Sequence, residues 1–174
     1  MQVDSLHEYP RNEWSRQQAR VLRFMFEHGG KQALHKDYVK LACATESILQ
    51  QTGTSLLTAT VRGEAGPFLI GASYAQNFGS DAFLIAVHPL YRRRGIGSRL
   101  MAEQMAQLGH IQCSAGLKQI PFLGMCFRAG LTASAMVQEQ PGRYVLNLIG
   151  ENNNPVRLQA VPSEEGEMMC RFPS

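Results

Sequence analysis

Six consecutive apolar residues, Ala82-Phe-Leu-Ile-Ala-Val87, lead straight into His-Pro-Leu-Tyr-Arg-Arg-Arg-Gly-Ile-Gly-Ser-Arg-Leu100. A run with no polar alternate face predicts a strand covered on both sides, the mark of a layered α/β fold. Pro89 ends the strand, and apolar Ile96, Leu100, Met101, Met105 and Leu108 predict a helix over 96–108. The joint carries Arg92, Arg93 and Arg94, then Gly95 and Gly97. A helix N-terminus presents unpaired N–H groups and a partial positive charge, which together attract an anion. Gly95 and Gly97 let the backbone approach a phosphate without an intervening Cβ, and the arginines add side-chain charge. A pyrophosphate would fit there.

The rest of the chain gives these two elements their neighbours. A short strand is expected around 2–7. Trp14, Val21, Leu22 and Met25 predict a helix over 13–28, stopped by Gly29-Gly30. Leu34, Tyr38, Leu41, Ala42, Thr45, Ile48 and Leu49 form one stripe, predicting a second helix over 34–51. The period then changes: 54–61 and 67–75 read as antiparallel strands around the turn at 63–66. After the 96–108 helix come a short strand (111–114), a helix (119–129) capped by Gly130, and a hairpin of 133–139 and 144–149 around Pro141-Gly142. The order is (β)ααβββαβαββ, with 151–174 outside it as a C-terminal extension. Within that extension Val156 to Val161 is a further strand candidate, and a contact with a partner is the other use for it.

Composition bounds what such a chain does. With 174 residues, 44% hydrophobic and 18% charged, it suits one domain over 1–150 with a buried core. The longest apolar run is far short of the roughly 20 residues that span a bilayer, and no secretory signal is visible at the N-terminus. Cys43, Cys113, Cys126 and Cys170 are scattered without zinc spacing, so free thiols in a cytoplasmic setting and no metal are expected. His110 and Cys113 lack the further ligands a metal needs. The net charge of +3 is carried by the arginine triple. Three adjacent charges support only weak, salt-dependent attraction to nucleic acid, so that partner is not expected.

Three phosphate-binding patterns compete for residues 87–100. A P-loop needs Gly-Lys-Ser/Thr where the chain has Gly97-Ser98-Arg99, and a dinucleotide fingerprint needs a third glycine where it has Leu100. The third, Gln/Arg-x-x-Gly-x-Gly/Ala after a strand ending Val-x-Pro, is matched by Arg92, Gly95 and Gly97 with Val87 and Pro89 upstream. In this motif, and in the element order over 54–150, the sequence resembles the GNAT superfamily of acyl-CoA-dependent N-acyltransferases. Residues 119–131, ending Met-Cys-Phe-Arg-Ala-Gly-Leu, resemble the family's second cofactor-flanking helix.

The resemblance implies a GNAT-like mixed α/β fold, with flanking helices and a mostly antiparallel sheet splayed at its central strands. It implies acetyl-CoA as co-substrate, with the backbone of Ile85 and Val87 pairing with the pantetheine arm. The pyrophosphate would rest on the amides from Arg93 through Gly95, Ile96 and Gly97 to Ser98, with Arg92, Arg93 and Arg94 around it. An amine of a small molecule, peptide or protein would attack the thioester directly. Where many members carry a thiolate-protonating Tyr, this chain has Cys126; where many carry a cofactor-contacting Asn, it has Gln119. A small buried Cys serves packing equally well, and water is then the proton source.

Other residues divide between function and packing. Asp81, opening the central strand, is a candidate general base or a turn residue. Glu46 is a candidate for holding a cationic acceptor or part of a solvated helix face. His88 flanks the cofactor loop, and Tyr74, Tyr91 and Tyr144 each have the reach to line the gap. The alternative to an enzyme is a non-catalytic CoA-binding or partner-binding module on the same scaffold. A homodimer is compatible with either.

Overall fold

The computed structural model describes residues 1–29, 36–64 and 66–152. The expected strand 156–161, the rest of the extension from 153 onward, and positions Gly30, Leu34, Ala65 and Cys170 lie outside them. Strand β1 (Gln2–Ser5) is followed by helix α1 (Arg11–His28), α2 (Lys36–Ala42) and a single turn, α3 (Glu46–Leu49). Strands β2 (Ser55–Gly63), β3 (Gly66–Gln76) and β4 (Ala82–Val87) come next, then α4 (Ile96–Leu108), β5 (His110–Gly116) and α5 (Ile120–Arg128). Strands β6 (Thr132–Gln140) and β7 (Arg143–Glu151) close the series.

One expectation is corrected. The stripe read as a single helix over 34–51 is broken after Ala42. Gln18 on α1 donates its side-chain amide to the carbonyls of Leu41 (2.8 Å) and Ala44 (2.9 Å), satisfying groups that a continuing helix would have used. Thr45 then starts α3 by accepting the Ile48 N–H. The apolar positions still point inward: Leu41 and Leu49 are buried, with Tyr38 and Ile48 packed beside them.

All described strand pairings are antiparallel. One sheet has the order β1-β2-β3-β4 and the other β5-β7-β6. Strand β4 lies between helix layers, as its apolar run requires, yet it is the last strand of its hydrogen-bonded sheet. Among the described residues no ladder joins it to β5, so the two sheets part there.

Period-two alternation sends β4 and its neighbours into two cores. Leu56, Tyr74, Leu84 and Ala86 pack under Trp14, Val21, Phe24 and Met25 of α1. On the opposite face Leu57, Ala59 and Ile70 meet Ile96 and Leu100 of α4. Met101, Met105, Phe83, Ile111, Cys113, Leu123, Met125 and Cys126 join α4, β4, β5 and α5 into a third cluster. Each fully buried side chain of the size of Leu100 contributes about 1.5–3 kcal/mol. A polar tie crosses the α4 interface: Gln104 accepts from the Ser73 hydroxyl and donates to the Ser55 carbonyl at 3.0 Å. It fixes α4, and with it the basic loop, against the sheet.

Candidate active site

The open edge of β4 is defined by its hydrogen bonds. The His88 N–H donates to the Ile70 carbonyl (2.9 Å), making His88 and Ile70 a hydrogen-bonded pair in the β3–β4 ladder. Pairs alternate along an antiparallel ladder, so Ala86 and Leu84 also turn their backbone groups to β3. Phe83, Ile85 and Val87 turn theirs the other way, into the gap. Two contacts agree: the Phe83 N–H meets the Asp37 carboxylate at 3.4 Å, and the Val87 carbonyl accepts from Arg92 Nε at 3.1 Å. Ile85 lies between them with its N–H and C=O facing the gap, a template for an added extended chain.

The edge runs into the basic turn. The three arginines are not equivalent. Arg92 bridges two elements, holding the Val87 carbonyl and, through Nη2, the His28 carbonyl at the end of α1 (3.1 Å). Arg93 adopts the left-handed region at φ 61°, and Arg94 lies over the Tyr91 ring at 5.3 Å. Gly95, at φ 77°, is the N-cap of α4 and has open space around it. Gly97 answers a different need: a Cβ there would lie 2.6 Å from Met125 Sδ on α5. Ile96 is buried in the core beneath, while Ser98 is half-buried at the helix start.

Between β4 and β5 opens a cavity of about 330 Å³. Asp81 and Ile85 line it from β4 and its approach, Gln119 and Phe122 from α5 and its N-terminus, and Cys113 from β5. Gln119 accepts the Gly116 N–H at 3.0 Å and so pins the turn into α5. Asp81 is exposed, and its backbone carbonyl accepts Lys40 Nζ at 2.7 Å. Cys126 stands apart from this lining: it is fully buried, its sulfur hydrogen-bonded to Cys113. That contact and burial push the Cys113 thiol up, while the Cys113 S–H favours the thiolate of Cys126. Glu46 is exposed on α3, and Tyr74 is wholly buried, its phenol pushed up to about 12 by burial. His88 packs among His28, Phe68 and Tyr91. Among the described residues no three His, Cys, Asp or Glu side chains cluster as a metal-binding group.

Asp37, Glu139 and Arg143 are among the cavity residues that went unread in the sequence. Asp37, in the first turn of α2, is half-buried, and burial holds its carboxyl above the ordinary range. Glu139 and Arg143 face each other at 3.2 Å across the β6–β7 turn and close the cavity from that side. An acid in a first helical turn reads as a dipole partner. Only the packing of α2 against β4 reveals Asp37 otherwise.

The sequence matches the Acetyltransferase (GNAT) family over residues 7–119. The chain belongs to the GNAT acetyltransferase family. No curated protein matches it in sequence. Solved structures resemble this GNAT chain at low identity. One is YncA of Salmonella typhimurium with its cofactor acetyl-CoA: 12% identity, TM-score 0.58, covering 92% of this chain and 99% of that one. Another is the spermidine N-acetyltransferase of Vibrio cholerae in complex with CoA and spermine: 10% identity, TM-score 0.57, covering 86% and 94%. At such identities the likeness is one of fold. Apart from the break after Ala42, element order, antiparallel sheets and flanking helices agree with the expectation, and the family match ends where α5 begins.

Proposed function

We propose that this GNAT acetyltransferase transfers the acetyl group of acetyl-CoA to a primary amine, within a single domain spanning 1–150. The observation that carries the reading is the unpaired edge of β4, whose outward backbone groups run directly into the glycine-containing start of α4. A pantetheine arm extends the sheet along Ile85 and Val87, and the pyrophosphate lies on the amides from Arg93 to Ser98. Arg93 and Arg94 supply charge to the phosphates, while Arg92 holds the loop in shape. Gln119 flanks the arm from the other wall. The YncA and spermidine acetyltransferase structures, solved with acetyl-CoA and CoA, support the choice of co-substrate.

The amine enters the cavity from the side of α2 and the β6–β7 turn. Asp37 and Asp81 attract its ammonium form, Glu139 being already paired with Arg143. The ammonium first gives one proton to water, and the neutral amine nitrogen then attacks the thioester carbonyl, forming C–N as C–S breaks. Asp37 takes the second proton, which the nitrogen loses on becoming an amide, directly or through water, its raised affinity for protons suiting a base. Asp81 holds the acceptor. Water entering the cavity protonates the leaving CoA thiolate, and Cys126, enclosed beside Cys113, packs the wall. Positioning of the two substrates provides the remaining acceleration.

An amine panel with acetyl-CoA, read by release of free thiol, tests this. Turnover with at least one amine and loss of turnover in Asp37→Asn are expected. CoA binding without turnover on any amine would leave only a binding module. Acceptor identity follows from the panel; spermine is a reasonable first member, since the Vibrio neighbour was solved with it.

A further inference from the structure

A second cavity, of about 720 Å³, lies at the opposite edge of the first sheet, where β1, β2 and α1 meet. Its polar lining is unusual for a place remote from the gap. Asp4 is only 8% exposed, yet no cation pairs with it among the described residues. Its carboxylate accepts from Gln2 Nε2 at 2.6 Å and weakly from the Tyr9 hydroxyl at 3.4 Å. Gln17, from α1, completes that side of the wall. A largely buried carboxylate with no ion-pair partner is costly. An ammonium group in the cavity would supply that partner.

The rest of the wall limits what carries that ammonium. Arg20 and Arg62 also line the cavity, Arg20 with one nitrogen on the Pro67 carbonyl at 3.1 Å and Arg62 exposed. Two guanidiniums repel a simple polyamine and attract a carboxylate. We infer that this cavity binds an α-amino acid, its ammonium on Asp4 and its carboxylate on Arg20 and Arg62. A second carboxylate gives each guanidinium its own partner and balances the net positive wall, so an acidic amino acid is the preferred ligand. The inference stands apart from the acyl-transfer reading, because none of these residues lines the β4–β5 gap.

Calorimetric titration of the full chain with L-glutamate tests it, with glycine methyl ester (ammonium only) and glutarate (carboxylates only) as half-ligands. Saturable binding of L-glutamate is expected with Kd at or below about 1 mM, and both half-ligands bind at least about tenfold more weakly. Arg62→Ala, at an exposed position, and Asp4→Asn each weaken binding by about tenfold or more. Asp81→Asn leaves it unchanged. No saturable heat with L-glutamate up to about 10 mM would overturn the inference and leave a water-filled cavity. Binding lost in Asp81→Asn but kept in Arg62→Ala would also overturn it, by assigning the amino acid to the gap. An acetyl-CoA titration of the same samples reads the acyl-transfer proposal separately.

Discussion

The carboxylate of Asp37 accepts the N–H of Phe83 at 3.4 Å, on the edge of β4 that faces away from β3. A residue of α2 thereby occupies the start of the β4 edge left open to the gap. The same contact leaves the carboxylate lining the cavity that the proposal assigns to the amine. Asp37→Asn is therefore expected to lower kcat by about 10²-fold or more, with acetyl-CoA binding retained. Steady-state kinetics paired with acetyl-CoA titration checks this.

Asp37 also gives a pH signature. Burial raises its folded-state pKa above the ordinary 3.8, so the folded protein binds this proton more tightly than the unfolded chain. The resulting cost is absent below 3.8, where both states are protonated, and grows as pH rises through the raised folded value. Asp37→Asn removes the cost: the variant melts higher than the parent at neutral pH, and the difference closes at strongly acid pH. Melts across that range decide the sign.

The two loop glycines differ in what they require, and their alanine variants separate the causes. Gly95→Ala meets open space but a φ of 77°, a purely conformational cost of about 1–2 kcal/mol. Gly97→Ala drives a Cβ against Met125, costing about 1–3 kcal/mol through overpacking. Shortening Met125 to Val in the same chain recovers part of the Gly97→Ala loss and none of the Gly95→Ala loss. Denaturant melts of the double-mutant cycle measure that coupling.

The arginine triple shows where sequence reading stops. Arg92, Arg93 and Arg94 are indistinguishable as three adjacent charges. Only the left-handed turn at Arg93 separates an arginine bound to Val87 and His28 carbonyls from one lying over Tyr91. The element order and the β4–α4 joint were legible because apolar period and glycine placement are local signals. The break after Ala42 was not, because it depends on Gln18, distant in sequence, reaching the ends of α2. Asp37, Glu139 and Arg143 were invisible for the same reason: each becomes part of the cavity through tertiary packing alone. The placement of Cys126 beside Cys113 likewise arises from α5 lying on β5.

The three arginines divide accordingly. Arg92→Ala lowers stability by about 1 kcal/mol or more, since two backbone carbonyls lose a charged donor. Arg93→Ala leaves the melting free energy within about 0.5 kcal/mol. It weakens acetyl-CoA binding instead, with a loss that shrinks as salt rises. Melting curves and titrations at two ionic strengths separate these effects.

Cys126→Ala addresses thiolate protonation. A general acid contributes about 10²–10⁴-fold, so a variant retaining kcat within about tenfold assigns the proton to water. A larger loss, with the fold intact by circular dichroism, would give the role back to the thiol.

The central claim is that the β4 edge and the start of α4 together bind acetyl-CoA, and a thermal melt tests it most directly. Ligand at about 100 times its Kd stabilises by about 2.7 kcal/mol, which for a chain of this size raises Tm by roughly 5–10 °C. Acetyl-CoA is predicted to give that shift, and ATP, which has phosphates but no pantetheine arm, far less. An unchanged Tm at about 1 mM acetyl-CoA, or an equal shift with ATP, would contradict the account.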